Sequence, residues 1–375
     1  MEVADSLTIR VSALTEILSK NIAAYGPVSF RDFMARALYD AEHGYYPAGR
    51  AAIGRGGDFF TNVSVGALFG RLMARQFVQV WERLGGPTRW TIVEQGAHRG
   101  QFAADVLRGL AEFAPEAYSA LEYVIVEPFA RMIAEQRRAL SAERVGWVSG
   151  ADELTLFVGV HFSNELLDAF PVHLVVKRES GWIERHVDWR DGRFVFVDGA
   201  LTDPRLDDRL AVIDAPTGFI TEINLAALDW IESLAAKIER GCVLAIDYGY
   251  ERAEFLERQS GTLSAYAAHA REPDPLVRPG EIDLTAHVEF TSLIEHAERV
   301  GFRLHGFTDQ HRFMVGASRL HFHDGETAAS DVRAFKTLMH PEFLGGAFKA
   351  VCFEKGGLAP GGLAGFEFAR GCLAV

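Results

Sequence analysis

With 375 residues, 49% of them apolar and 24% charged, the chain is long enough for two or three packed units around a sizeable core. Its net charge of −13 argues against a nucleic-acid backbone as the main partner, since phosphate binding needs clustered Lys and Arg; it suits a basic protein partner, or solubility alone. Cys242, Cys352 and Cys372 are far apart and lack C-x-x-C spacing, which argues against a disulfide framework and against a zinc site, so no metal is expected. No basic stretch followed by an apolar core is visible at the N-terminus and no apolar run reaches membrane-spanning length, so a cytoplasmic protein without a membrane span is expected. The final Cys372-Leu373-Ala374-Val375 has the C-a-a-X form, but no polybasic stretch precedes it, and it reads as chance.

Residues 8–25 carry Ile9, Leu14, Ile17, Leu18 and Ile22 at helical spacing, and Gly26-Pro27 stops that helix. Ser29 caps a second helix, with Asp32 as its box partner and Phe33, Met34, Ala37 and Leu38 as the inner face. Residues 44–58 are glycine-rich and aperiodic, which predicts a long loop. A third helix runs from Ser64 to about Leu84 and ends at Gly85-Gly86-Pro87, so residues 1–88 are expected to form a helical unit ahead of a sheet.

An α/β pattern begins at Trp90. The run Trp90-Thr91-Ile92-Val93 is a buried strand ended by Glu94; Gly96 and Gly100 bracket a turn, and Phe102, Val106, Leu107 and Leu110 mark the following helix. Residues 123–126 form a second apolar run ended by Glu127, with a helix to Leu140. Residues 145–148 and 157–162 supply further strands, the latter leading into Asn164-Glu165-Leu166-Leu167-Asp168-Ala169-Phe170-Pro171. Such alternation predicts a parallel sheet with ligands at its carboxyl edge, where Glu94, Glu127, Asp152 and Asn164 all fall. Residues 172–177, 181–189 and 193–197 read as an antiparallel meander, and 203–213 and 224–239 as helices. A strand over 241–249 contains Asp247; 261–283 reads as loop, 285–300 as a helix capped by Asp283 or Thr285, 302–307 as a strand and 330–339 as a helix. From Gly356 onward a mobile tail is expected. The expected domains are therefore a helical region at 1–88, a core at 89–355 with an insertion around 172–240 and a loop at 261–284, and a tail at 356–375.

A strand, a glycine turn and a helix, with an acid after the next strand, serve two common purposes. One is dinucleotide binding, but the G-x-G-x-x-G pattern is absent, as is a Walker lysine. The other is an S-adenosylmethionine corner, where the acid takes the ribose hydroxyls. Glycine turns also serve packing alone, and Asn164, Glu165 and Asp168 also suit a helix start, with Asn164 as cap and two acids on the dipole. Carboxylates at that edge are equally placed to hold a cationic acceptor and take its proton.

Several blocks occur in order: Ala37-Leu38-Tyr39-Asp40 through His43-Gly44-Tyr45-Tyr46; Gly57-Asp58-Phe59-Phe60-Thr61 with Leu68-Phe69-Gly70; Val93-Glu94-x-Gly96-x-x-Arg99-Gly100; Asn164-Glu165-Leu166-Leu167-Asp168-Ala169-Phe170-Pro171-Val172; Ile246-Asp247-Tyr248-Gly249; Pro279-Gly280-x-x-Asp283-Leu284-Thr285-Ala286-His287-Val288; and Phe348-Lys349. Together they resemble the MidA-type class I methyltransferases, a family that includes a mitochondrial complex I assembly factor. The resemblance implies an α/β fold with a Rossmann-like methyltransferase core, an N-terminal helical lid and an inserted β-rich and helical unit facing the substrate. It implies S-adenosyl-L-methionine as cofactor, and methylation of an arginine nitrogen on a protein partner such as a respiratory-chain subunit. By the same resemblance Glu94, Gly96, His98 and Gly100 line the methionine and ribose end, Glu127 holds the ribose, and Asp152 or Glu153 approaches the adenine. Gly57, Asp58 and Thr61 close over the cofactor, and Asn164, Glu165 and Asp168 face the acceptor. Ala97 and His98 stand where the family reads proline and glycine, which keeps a non-catalytic assembly or binding protein as the alternative reading.

Overall fold

The computed structural model describes residues 12–50, 61–267, 270–319, 321–322, 329–340 and 344–369. In chain order the elements begin with α1 (Ala13–Tyr25), β1 (Val28–Ser29), α2 (Phe30–Tyr39) and α3 (Leu68–Arg83). There follow β2 (Trp90–Gln95), α4 (Gln101–Phe113), α5 (Pro115–Ser119), β3 (Leu121–Val126), α6 (Ala130–Ala139), β4 (Val145–Val148) and β5 (Phe157–Asn164). Next come β6 (His173–Arg178), β7 (Gly181–Arg190), β8 (Arg193–Gly199), α7 (Arg205–Leu210), β9 (Ile220–Ile223), α8 (Leu225–Ala235), β10 (Ile238–Tyr250) and α9 (Arg252–Leu256). The rest comprises β11 (Ser264–Ala267), β12 (Ala270–Glu272), β13 (Asp283–Thr285), β14 (Val288–Glu289), α10 (Phe290–Arg299), β15 (Arg303–Asp309), α11 (Gln310–Ser318), α12 (Ala329–Met339) and β16 (Phe348–Lys355).

The chain divides into two compact units: Met1–Ala51 with Pro171–Ile223 and Gln259–Thr285, and Ala52–Phe170 with Asn224–Arg258 and Ala286–Val375. The second unit holds a sheet of order β15-β16-β10-β5-β2-β3-β4, with β14 added beside β10. Pairing is parallel from β10 through β5, β2 and β3 to β4, while β16 runs antiparallel between β10 and β15. After β4 the chain returns to the other side of β2 to form β5, so strand order reverses between them. One face of this sheet packs on α3, α4 and α11 through Phe69, Phe77, Phe102, Phe162 and Phe313. The Phe102 and Phe162 rings stack with centroids 4.4 Å apart. The other face packs on α8 and α10 through Trp230, Ile231, Leu234, Phe290 and Leu293. Burial of these large side chains is worth roughly 1.5–3 kcal/mol each relative to exposure.

The first unit is antiparallel. Its sheet has the order β1-β7-β6-β9, with β8 on β7, and a smaller sheet has the order β12-β11-β13. As expected, Ser29 caps α2 by accepting from the Asp32 amide, and Phe30 and Phe33 of that helix meet Phe196 and Phe194 of β8 at 5.6 and 5.2 Å. Two blocks distant in sequence meet here: the Tyr46 hydroxyl donates to Asp283 Oδ1 at 3.2 Å, and the Arg50 guanidinium donates to the Gly280 carbonyl.

Several expectations are corrected. Residues 261–284 are not featureless loop, because β11, β12 and most of β13 lie within them. The helix expected over 285–300 starts at Phe290, and its cap is Glu289, whose carboxylate accepts from the Ser292 amide, rather than Asp283 or Thr285. The helix expected from Ser64 starts at Leu68, after a 3₁₀ turn at Asn62–Val65. The described part of the tail is folded down: Leu363 and Phe366 are buried, and the Gly365 and Ala364 amides each donate at 2.9 Å to Gln76 and Gln79 of α3. His305 Nε2 accepts from the Leu363 amide at 3.2 Å, and its Nδ1 pairs with the buried Glu354 at 2.8 Å. Burial alone would raise the Glu354 carboxyl, but His305 and Arg83 outweigh it and hold it at about 2.

Phe366 sits against Phe313 at 5.1 Å. Phe366→Ala is expected to cost about 3 kcal/mol, as for other large-to-small core changes, measured as a drop in the urea unfolding midpoint. A truly loose tail would show no change.

Candidate functional site

The carboxyl edge of β2 turns sharply at Gly96 (φ 83), His98 (φ 44) and Gly100 (φ 81), and Gly100 opens α4 from a left-handed conformation. A Cβ at Gly96 would meet the Leu166 side chain at 3.5 Å and the Asn164 carbonyl at 4.0 Å, both ordinary contacts, so glycine is required there by its backbone angle and not by crowding. His98 shows that the turn forms without a glycine at its middle position, at a cost of roughly 1–2 kcal/mol. Its carbonyl accepts a hydrogen bond from Gln136 Nε2 at 2.8 Å.

Gln136 of α6 is the hub of this side. The same Nε2 donates to Glu127 Oε2 at 2.9 Å, and Gln136 Oε1 accepts from Trp147 Nε1 at 2.9 Å. Glu127 Oε1 accepts from the Phe129 amide at 3.1 Å. The glycine turn after β2 and the acid after β3 are thus held to one side chain. Burial raises the Glu127 carboxyl, against the hydrogen bonds from Phe129 and Gln136. Glu94 is fully buried, and burial pushes it to about 7 although the Tyr123 hydroxyl donates to it at 2.6 Å.

Past β4, Asp152 and Glu153 are both exposed on a 3₁₀ turn. Glu153 accepts from the Ser149 amide at 3.0 Å and from its hydroxyl, and Lys237 Nζ donates to the carbonyls of Asp152 and Leu154. No hydrogen bond links either acid to Glu127 among the described residues.

β5 ends beside β2, with Ser163 opposite Gln95. Its last residue, Asn164, donates from Nδ2 to Glu165 Oε1 at 2.8 Å, and Glu165 has a left-handed backbone, φ 54. The following turn is anchored by Asp247 of β10, one residue past the last position paired with β5, whose carboxylate accepts from the Leu166 and Leu167 amides at 3.0 and 2.7 Å. Burial raises the Asp247 carboxyl, opposed by these backbone donors. Asp168 is buried, and its carbonyl accepts from the Ala286 amide at 2.9 Å. Asn164, Glu165 and Asp168 therefore share one anchored turn beside the glycine loop. Thr61 also lies in this unit, its buried hydroxyl without a hydrogen-bond partner among the described residues. Gly57 and Asp58 lie outside the described residues.

Gln136, Tyr123, Asp247 and Asn62 complete the site. Asp247 stands in a block noted in the sequence, and Asn62 directly follows another. Gln136 and Tyr123 carry no local signal, because their roles arise only once β2, β3 and α6 are packed.

A family model described as putative S-adenosyl-L-methionine-dependent methyltransferase matches residues 72–308. A Drosophila melanogaster protein named protein arginine methyltransferase NDUFAF7 homolog, mitochondrial, is 28% identical over 341 residues, covering 82% of this chain and 76% of its own. The Homo sapiens protein arginine methyltransferase NDUFAF7, mitochondrial, is 26% identical over 342 residues, covering 81% and 73%. A Burkholderia thailandensis protein solved with S-adenosyl-homocysteine superposes with TM-score 0.84, at 34% identity and 95% coverage of each chain. The relatives' mitochondrial designation overturns the cytoplasmic expectation, which rested on the lack of a visible signal.

The residues present fit such a cofactor. Two buried carboxylates, Glu94 and Glu127, stand at adjacent strand ends, and burial disfavours the charge on each; an arriving cation or hydroxyl pair is the complement they call for.

Glu94 supplies a pH test. Its folded value of about 7 lies above the ordinary 4.5, so the folded state binds the extra proton and stability falls as pH rises between these values. Glu94→Gln should therefore stabilise the protein by up to roughly 3 kcal/mol more at about pH 8 than below about pH 4.5, read from thermal melts at both. An equal effect at the two pH values would show that Glu94 is not held near neutrality by burial.

Proposed function

The chain belongs to the family of putative S-adenosyl-L-methionine-dependent methyltransferases, and on that premise we propose that it methylates an arginine nitrogen of a protein partner, such as a respiratory-chain subunit. The observation that carries this reading is the Glu165 and Asp168 pair on a turn anchored by Asp247, beside the glycine loop across the β2–β5 junction. A guanidinium is planar and permanently charged, and it is recognised by carboxylates through paired hydrogen bonds. The relatives named as protein arginine methyltransferases support the same acceptor.

In this reading Glu127 takes the two ribose hydroxyls, its oxygens pre-aligned by Phe129 and Gln136. Glu94, Gly96, His98 and Gly100 line the methionine and ribose end. Glu153 is committed to Ser149, which leaves Asp152 for the adenine edge. Thr61 offers its buried hydroxyl to the same side. When bound, S-adenosyl-L-methionine supplies a methyl group on a sulfonium that leaves as a neutral thioether. The chain's part is positioning: Glu165 and Asp168 aim the guanidinium nitrogen along the line of transfer and take the proton it releases, while Asn164 steadies Glu165.

Calorimetric titration with S-adenosyl-L-methionine is expected to show saturable binding that Glu127→Ala abolishes. Glu165→Gln and Asp168→Asn should keep that binding and slow transfer of labelled methyl to arginine-bearing protein by about 100-fold, in the range of a lost acid–base group. Loss of cofactor binding in those variants would move both residues to the cofactor side and overturn their assignment to the acceptor.

A further inference from the structure

Asn62 and Gln310 are both fully buried polar side chains lying 248 positions apart in sequence. They form a reciprocal amide pair: Asn62 Nδ2 donates to Gln310 Oε1 at 2.9 Å, and Gln310 Nε2 donates to Asn62 Oδ1 at 2.7 Å. The second Nε2 proton of Gln310 goes to the Leu338 carbonyl at 3.0 Å. Leu338 lies in the last turn of α12, where carbonyls lack a partner within the helix. The second Nδ2 proton of Asn62 goes to Asn164 Oδ1 at 2.8 Å. Asn164 in turn donates to Glu165.

This chain has a direction. A backbone carbonyl only accepts, so Gln310 must turn its amino group toward Leu338. That choice orients Asn62 through the reciprocal pair. Both Asn62 donors are then used, and Asn164 is obliged to accept from Asn62 and to donate to Glu165. An apolar pair of the same shape would be cheaper to bury, since an amide in the core adds little net stability and imposes strict pairing. What the amides provide is orientation.

We propose that Asn62 and Gln310 are positioning residues that act through Asn164, holding Glu165 as a carboxylate acceptor aimed at the methyl-accepting group. The proposal rests on the assignment of Glu165 to the acceptor side. Neither amide touches the reacting atoms. Their effect is to make one Asn164 rotamer the only satisfied one, so that Glu165 meets a donor and not a carbonyl.

The test uses the full-length protein saturated with S-adenosyl-homocysteine. Asn62→Leu removes the bias on Asn164. Asn62→Asp, read at a pH high enough to ionise its buried carboxyl, reverses it: the carboxylate still accepts from Gln310 but cannot donate, so Asn164 turns its amino group toward residue 62 and its oxygen toward Glu165. Three quantities are read: calorimetric affinity for S-adenosyl-homocysteine, the carboxyl carbon resonance of Glu165 (assigned with Glu165→Gln), and affinity for N-acetyl-arginine-N-methylamide as a guanidinium probe. Both variants are expected to keep the S-adenosyl-homocysteine affinity, to shift the Glu165 resonance, and to weaken the probe by about tenfold, as for loss of a charge-assisted hydrogen bond. An unchanged Glu165 resonance in a folded variant overturns the proposal. Wild type that fails to bind the probe overturns the acceptor assignment, while the Glu165 resonance still decides the relay. Should Asn62→Leu not fold, Asn62→Asp, which keeps the side chain's size and its bond from Gln310, gives the same decision.

Discussion

The parallel register of β2 against β5 is the constraint on which the site depends. Gln95 lies opposite Ser163, and the two strands end together where the strand order reverses. Strand residues alternate between faces, so a slip by one residue would exchange every partner. Glu94 faces Tyr123 on one side of the sheet, while the next residue, Gln95, accepts from Trp230 Nε1 at 3.0 Å on the other. The hydrophobic clusters on the two faces enforce that alternation, with Ile92, Phe162 and Ile246 in one and Val93, Val243 and Ala245 in the other. The core thereby determines that Glu94, and not Gln95, shares a face with Tyr123. An open α/β sheet gathers ligands at such a junction because two loops splay apart there.

Around that junction the loops are held by side chains with strict donor and acceptor requirements. Gln136 ties the turn after β2 to the acid after β3, and Asp247 ties the turn after β5 to β10. Each of these groups is buried, and each is worth little as a net contribution to stability. Each nevertheless makes alternative loop conformations expensive, because a buried donor or acceptor left unmet costs about 1–3 kcal/mol. Methyl transfer from a sulfonium needs alignment more than it needs acid or base strength, so a site built from orienting groups suits the chemistry of the family.

Much of this arrangement was legible in the sequence, for identifiable reasons. The apolar runs that lead into Glu94, Glu127 and Asn164 were readable because buried parallel strands are short apolar runs and their ends break abruptly into polar residues. The glycine turn was readable because Gly96 and Gly100 need positive φ. The rest was hidden by distance. Gln136, Asn62 and Gln310 are ordinary polar residues until packing brings their partners to them, and no local pattern distinguishes a hub from a solvated amide. The smaller sheet of β11, β12 and β13 was hidden because its strands are three or four residues long and set among Pro, Gly and charged residues. The terminal segment looked loose for its glycine and alanine content, yet Leu363 and Phe366 are enough to seat it, with its amides met by Gln76 and Gln79.

The two left-handed residues other than glycine at the junction, His98 in the turn after β2 and Glu165 in the turn after β5, connect these observations. Neither is glycine, so each carries backbone strain, and each is followed or flanked by a backbone group held by a buried side chain: the His98 carbonyl by Gln136, the amides after Glu165 by Asp247. Strain of this kind persists only where the surroundings over-determine the conformation. The histidine in a position where the family reads glycine is therefore not a sign that the turn has lapsed. The same hub that aligns Glu127 holds the turn in its left-handed form, and relaxation of one would release the other. The placement of Glu127 and the conformation of the glycine turn are thus one property of the packed α6, just as the turn that carries Glu165 and Asp168 is held by β10.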